Sequence, residues 1–534
     1  MGLAIEPADL AVIVFYLLGI VGLGCWAGLR QRRGSAGESY FLAGKSLTWP
    51  IIGLALFSTN ISTIHLVSFA QEGYVNGLAY GNFEWMAAFT LIALSLFFAP
   101  FYIRSGVATL PDFLEKRYNR LCRDWLAVLS IVSAIFIHIG FSLYTGAVVL
   151  HGLFGINQMA SIITVAMLTG LYTIIGGLLA VVLTESIQAV ILLAGAVCIT
   201  GIAYCEVGGW TGLAASVEPV KLTVLRSAED PSNLPWYSVF LGYPVIGIWY
   251  WCADQTIVQR VLGAKDENHA RVGPLFAGFI KILPVFIFVL PGLMCLGLIN
   301  QGKLDQPLTD SADTYAYMIS NLLPVGLRGL VAAALLAALM STVSGALNST
   351  ATLFSYDIYK RWKPGVSDRS LVIIGRWVTF IAMVAAIAWS PYIARYESIF
   401  QGITAVICFI APPITTVFIW GIFWKRASSA AALVTLWCGA VMGVTAFFLD
   451  WYKDYTGWNI PSMMMTFYLF VTCSVILVFV SLLKPHAHTM ESEALVWKNF
   501  ADALRGPAWS GIGNYKILSL LLVLTMIFLY VMFA

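Results

Sequence analysis

The sequence predicts an all-α integral membrane protein of about 14 transmembrane helices, and three observations carry that class. Of the 534 residues, 60% are hydrophobic and only 11% are charged, and the mean hydropathy is +0.84. Apolar runs of about 18 residues or more recur along the whole chain, each long enough to cross a bilayer core as a helix. Lys and Arg concentrate on one side of those runs. With the N-terminus outside, the cytoplasmic segments hold 23 of the 30, six lie outside, and one, Lys281, falls within a span. Because basic residues stay on the cytoplasmic face, this bias puts both termini outside a plasma (cell inner) membrane that the chain crosses many times.

In chain order, the unit 1–46 holds a first span at 10–29 and the basic loop "RQRR". No basic region precedes that span and no small-residue cleavage site follows it, so it reads as a retained helix rather than a signal peptide. The unit 47–205 holds spans at 47–71, 79–102, 125–152, 159–178 and 180–204. An external loop, 206–236, contains the acidic "AEDPSN". Spans at 237–259, 274–299, 327–358, 370–390 and 397–423 fill 237–426, and two more at 429–449 and 463–483 fill 427–484. The longest polar connection, 485–515, reads as a cytoplasmic linker before a detached last helix at 516–534.

Other chemistries find little support. Nine cysteines are scattered without a CxxC, so neither a disulfide framework nor a zinc site is expected. His486 and His488 read as a solvated pair, and the glycosylation patterns at Asn60 and Asn348 lie inside spans. No phosphate loop, catalytic triad or nucleic-acid patch is present, which argues against an enzyme and against a nucleic-acid partner. Lipid is the expected surrounding, and no signal specifies an oligomeric state.

Polar residues inside the spans carry the functional signal. "FSTNISTIH", 57–65, packs Ser58, Thr59, Asn60, Ser62, Thr63 and His65 into eight positions. Backbone polar groups must be satisfied within a bilayer, so a break in a spanning helix is tolerated only beside a polar cavity. Short hydroxyl and amide side chains also make a poor continuous helix. A second interruption is expected in "FLGYPVIGIWYWCADQ", 240–255, from Gly242, Pro244 and Gly247, with Trp249, Tyr250 and Trp251 as a stacking platform. It lies five spans after the first, and an odd offset reverses orientation. Interrupted helices at matching places in oppositely oriented halves point to a secondary transporter's substrate site.

A third stretch, "AALMSTVSGALNST", sets Ala338, Ser341 and Thr342 at i, i+3 and i+4, on one helix face. With the carbonyls of Ser58 and Ile61, they could offer five neutral oxygens, which suits a monovalent hard cation better than Ca²⁺ or Mg²⁺. Close packing through small residues is the competing reading, and the residues alone do not choose. Ionisable groups inside spans mark a pathway or site by default. Glu84, Glu185 and Lys281 qualify; Asp254 and Arg260, nearer a span end, are expected to pair with each other or to snorkel.

These motifs resemble the sodium/solute symporter family, and within it the sodium/glucose cotransporter branch. The resemblance rests on "NIS" with "GLAYGNFEWM" at 60–86, "GGLLAVVLTESIQ" at 176–188, "WYWCADQTIVQRVLGAKDENHAR" at 249–271, "LNSTATLFSYDIYKRW" at 347–362 and "APPITTVFIWGIFWKR" at 411–426. It implies a LeuT-like fold of two inverted five-helix repeats, 47–205 and 237–426, with one helix before and three after. It also implies uptake of a glucose- or galactose-like monosaccharide with Na⁺, by alternating access. The Na⁺ ligands would be the carbonyls of Ser58, Ile61 and Ala338 and the hydroxyls of Ser341 and Thr342. The sugar site would take Asn60, His65, Glu84, Tyr250, Trp251 and Lys281. Tyr250 would close it from the cytoplasm, and Phe69, Phe83 and Phe400 from outside.

The chain departs from the family pattern in three places. Thr404 stands where the sugar transporters carry a Gln, with Gln401 three residues earlier. Glu185 replaces an Asp, and Ser344–Gly345 replaces a hydroxyl pair tied to a second Na⁺. Glu185 and Ser344 are left as a possible ion path, with one Na⁺ expected per cycle. Uptake of inositol or sialic acid, or a sugar-gated sodium-permeable sensor, are the alternatives within this frame.

Overall fold

The computed structural model describes residues 6–534 apart from 31–34, 231, 233, 306, 307, 309, 396–398, 486 and 487, and leaves aside the side chains of 64, 152, 153, 394, 395, 399–403, 405 and 454. The main helices are α1 (Pro7–Arg30), α2 (Trp49–Asn60), α3 (Thr63–Asn76), α4 (Asn82–Ala93), α5 (Arg120–Ser133), α6 (Gly140–Phe154) and α7 (Gln158–Val207). They continue with α8 (Trp236–Ile248), α9 (Gln255–Leu262), α10 (Glu267–Ile280), α11 (Leu290–Asn300), α12 (Leu327–Leu353) and α13 (Asp368–Trp389). The last four are α14 (Ile399–Phe423), α15 (Ser429–Trp451), α16 (Ser462–Leu483) and α17 (Tyr515–Met532).

Among the described residues, eleven helices are long and apolar enough to cross a membrane. About fourteen were expected, and three features account for the difference. The second half of the second span runs on into the third, so His65–Ser105 counts once. The fifth and sixth spans form one helix, α7, broken at Gly177 (φ 57°, ψ −153°). A Cβ there would collide with the Tyr40 carbonyl, so glycine is required on both counts. The seventh span is split into α8 and α9, each too short to count alone.

The first break falls where the polar cluster sits. Ile61 and Ser62 leave the helix with extended backbone (ψ 107° and 171°). Ser62 caps α3: its N–H donates to His65 Nδ1 at 3.2 Å, and His65 N–H donates to the Ser62 carbonyl at 3.0 Å. The break thus supplies hydrogen bonds for its own freed groups.

The second break is displaced from its expected place. Helix α8 runs straight through Pro244 and opens only after a π turn at Trp249–Ala253. Gly242 and Gly247 serve packing instead: a Cβ on Gly242 would collide with the Met463 carbonyl of α16, and one on Gly247 would lie 2.7 Å from Thr90. Asp254 ends the break by capping α9, its Oδ1 accepting from Thr256 N–H at 2.7 Å.

Helix α12 is the most enclosed, packed along α7 and α1. Its N-terminus is capped from another helix: Asp9 of α1 accepts from Gly326 N–H at 2.8 Å and Gly329 N–H at 2.6 Å. The last helix is not detached. Leu522 packs on Gly278 of α10, the Tyr530 hydroxyl donates to Asn82 at 3.0 Å, and Val224 N–H donates to the Phe533 carbonyl at 2.7 Å. At the far end, Arg123 holds Asp357 at 2.6 Å, Asp112 at 3.1 Å and Glu115 at 2.5 Å. Arg361 pairs with Glu115 as well, which fastens residues 112–124 to the turn beyond α12.

Candidate substrate and cation site

The first break, π turn 249–253 and the end of α10 converge on one cavity. It is lined by Asn60, His65, Glu84, Tyr250, Trp251 and Lys281, by Phe69 and Phe83, and by Thr404 and Thr342. About 990 Å³ of non-atom space lies in it, open solvent included. Sequence separations of up to 344 residues are thereby closed. Gln401 and Phe400 have side chains outside the described residues.

Lys281 organises the polar wall. Its Nζ lies 2.5 Å from Glu84 Oε2 and also donates to Asn60 Oδ1, while the Trp251 ring centroid is 5.5 Å away. Both charged side chains are almost fully buried, at 1% and 3% exposure. The sequence supplies this geometry through helix ends: Lys281 follows directly after α10, and Asn60 is the last residue of α2. Tyr250 and Trp251 meet edge to face at 5.2 Å rather than forming a flat platform, and Trp249 is absent from the cavity lining. Phe83 packs on Tyr80 at 5.8 Å and on Tyr243 at 6.1 Å, whose hydroxyl donates to the Phe83 carbonyl at 2.7 Å. A second, more polar cavity shares Phe83 and Thr404 with the first and reaches Asp450, Lys453 and Trp458.

The oxygen cluster lies on the other side of the same break. Ser341 Oγ donates to the Ser58 carbonyl at 2.8 Å and to the Ala338 carbonyl at 3.0 Å. Thr342 Oγ1 lies 3.2 Å from the Ala338 carbonyl and 3.3 Å from the Thr59 carbonyl. Four of the five expected ligand residues therefore share direct hydrogen bonds, and Ile61, the fifth, has the extended backbone that ends α2. The donor set is neutral, compact and carbonyl-rich, which is the chemistry a bare Na⁺ wants.

The expected ion path is organised differently. Glu185 is held by Arg260, with neither side chain exposed, and Ser344 Oγ donates to the Ser341 carbonyl at 3.1 Å. Arg260 thus neither snorkels nor pairs with Asp254, because Glu185 offers a fully buried partner and the Thr256 carbonyl a further acceptor. Asp254 faces His138 instead, at 3.6 Å.

Sequence reasoning placed Ser62 in the polar cluster without a role, and missed Ile137, His138, Ser142, Tyr243, Ile246 and Ile407 in the cavity wall. His138 could have been found, since an ionisable residue in the apolar run "IFIHIG" meets the rule applied to Glu84 and Lys281.

With this geometry in view, the comparisons are direct. The profile of the sodium:solute symporter family matches residues 40–439. A Danio rerio protein named sodium/glucose cotransporter 4 is 36% identical over 476 residues, covering 84% of this chain and 72% of its own. A Bos taurus sodium/mannose cotransporter is 32% identical over 544 residues, covering 94% and 91%. A solved Na⁺-coupled sialic acid symporter in a substrate-bound, outward-open state superposes with a TM-score of 0.79 at 21% identity, over 91% of this chain and 100% of that one. The architecture described above is the LeuT-like fold that it shares.

Proposed function

Since the chain belongs to the sodium:solute symporter family, we propose that it takes up a neutral monosaccharide with Na⁺ by alternating access. The single observation that carries this reading is the break between α2 and α3, with Asn60 on the Lys281–Glu84 wall and Ser58 on the Ser341 cluster. Sodium at Ser58, Ile61, Ala338, Ser341 and Thr342 orders the break, and the ordered break presents Asn60 and His65 to substrate. Linkage makes the reverse effect equal.

On this reading, Asn60, His65, Glu84, Tyr250, Trp251, Lys281 and Thr404, with Gln401, bind the sugar. Donors and acceptors meet hydroxyls while Trp and Tyr rings cover the apolar ring face. The names of the relatives, glucose and mannose cotransporters, support a neutral polyol. So does the Lys281–Glu84 pair, which leaves that cation already neutralised and so disfavours an acidic sugar. Phe69, Phe83 and Phe400 gate the outer side and Tyr250 the inner. The units 47–205 and 237–426 act as the two inverted repeats, in a plasma membrane with both termini outside.

One Na⁺ suffices energetically. A roughly tenfold gradient gives about 1.4 kcal/mol, and a potential of about 100 mV adds roughly 2.3 kcal/mol. Together, about 3.7 kcal/mol sustains several-hundred-fold accumulation of a neutral solute.

The test is uptake of glucose, mannose and myo-inositol into proteoliposomes under an inward Na⁺ gradient with the interior negative. Accumulation above the external concentration, lost in K⁺ medium, is expected. Equal uptake in K⁺ and Na⁺ overturns Na⁺ coupling, and Na⁺ currents without accumulation assign a sensor instead.

A further inference from the structure

We propose that His138 is a specificity-determining substrate contact, which recognises one sugar hydroxyl in the cavity that Lys281 and Glu84 also line. The inference rests on the sugar-symport reading above and adds a residue that neither the motifs nor the relatives assign. Four observations carry it. His138 and Ser142 stand four residues apart, on one helix face, and both line the cavity with Asn60, Glu84 and Lys281. The backbone that carries His138 is a π turn, Ala134–Ile139, between α5 and α6; such turns are uncommon and gather at functional sites.

The ring nitrogen Nε2 is buried and makes no hydrogen bond. Its nearest charged neighbour, Asp254 Oδ2, is 3.6 Å away, beyond hydrogen-bond reach. A buried polar atom without a partner is unfavourable by an amount comparable to a lost hydrogen bond. A hydroxyl in this cavity would supply the partner.

The neighbours explain why the position suits recognition. Asp254 spends its other oxygen on the cap of α9, which fixes the carboxylate facing His138. The Tyr250 ring centroid lies 6.4 Å from that of His138, so the imidazole adjoins the aromatic expected to close the inner side. A sugar hydroxyl bound at Nε2 is therefore held between the π turn that joins α5 to α6 and the break between α8 and α9. A purely structural histidine–aspartate pair is the rival account. It predicts that His138→Ala and Asp254→Asn act alike and that neither cares which hydroxyl the sugar carries.

The experiment measures Na⁺-driven uptake by wild type, His138→Ala, His138→Gln and Asp254→Asn. The probes are whichever of glucose, mannose and myo-inositol the wild type accumulates, and its monodeoxy analogues. Wild type should discriminate about tenfold against one deoxy analogue, the worth of one good hydrogen bond. His138→Ala should raise the half-saturating sugar concentration about tenfold and lose that discrimination. The half-saturating Na⁺ at saturating sugar should not change. His138→Gln, which keeps a donor and an acceptor, should restore most of the affinity and so separates recognition from misfolding.

If His138→Ala keeps full discrimination among the analogues, or if Asp254→Asn reproduces its whole phenotype, the contact is refuted while the symport reading stands. If wild type accumulates none of the three sugars, the symport reading fails and this assignment falls with it.

Discussion

Arg260 donates to both carboxylate oxygens of Glu185, and neither side chain reaches solvent. Gly345 lies against the pair, where a Cβ would collide with Arg260 Nη2. A guanidinium therefore fills the ground beside Glu185 and Gly345, and a second cation at Glu185 would face it directly. Breaking such a buried pair from one side costs roughly 3–5 kcal/mol.

Stoichiometry follows from that pair. One Na⁺ per sugar is expected, read from reversal potentials at several sugar gradients. A slope matching two Na⁺ would show that Glu185 and Ser344 serve an ion despite Arg260.

The Ser341 hydroxyl joins the first broken helix to α12, within hydrogen-bond reach of the carbonyls of Ser58 and Ala338. Ser341→Ala should raise the Na⁺ concentration for half-maximal uptake by about tenfold or more. Sugar affinity at saturating Na⁺ should stay within about twofold. Na⁺ titration of uptake at fixed sugar decides it, and an unchanged Na⁺ requirement would remove Ser341 from the ligand set.

Lys281 and Glu84 can be separated from mere mutual neutralisation. If they were only a structural pair, Glu84→Gln with Lys281→Met should be tolerated better than either alone, because no uncompensated charge remains. As substrate ligands, the folded double variant loses sugar binding. Charge-assisted hydrogen bonds are worth about 1.5–3 kcal/mol, so each single change should weaken affinity roughly tenfold to a hundredfold. Equilibrium binding to protein verified by thermal melting is the measurement, and near-normal affinity in the double variant refutes the role.

Acid should loosen the cluster around Glu115. Burial alone would raise its pKa, but hydrogen bonds from Arg123 and Arg361 more than offset that and hold it below the ordinary 4.5. A depressed carboxylate pKa stabilises the fold above the unfolded value, and that stability disappears as pH falls through the folded value. Wild type should therefore melt higher than Glu115→Gln at neutral pH, and the gap should close on acidification below about 4.5. A gap independent of pH would show that the contacts are not carried by the charge.

How far the sequence reached depended on how residues were grouped. The polar cluster of 57–65 was legible because six polar side chains crowd one apolar run, and Lys281 because no stem of that length reaches the interface from its depth. Arg260 was misread: its distance from the span end suggested an escape to water, and only the fold brings Glu185, 75 residues away in sequence, against it. Gly242 and Gly247 were read as openings in the backbone, whereas helix α16 and Thr90 press close to them. Tyr243 stayed hidden because an isolated aromatic in an apolar run carries no signal of which face it will present.

Asp9 grips the start of α12, so the first helix of the chain is mechanically fastened to the helix that carries Ser341 and Thr342. A tilt of α12 would either carry α1 with it or break two amide hydrogen bonds. A residue of the first helix, far from the cavity, then enters the energetics of any movement of α12.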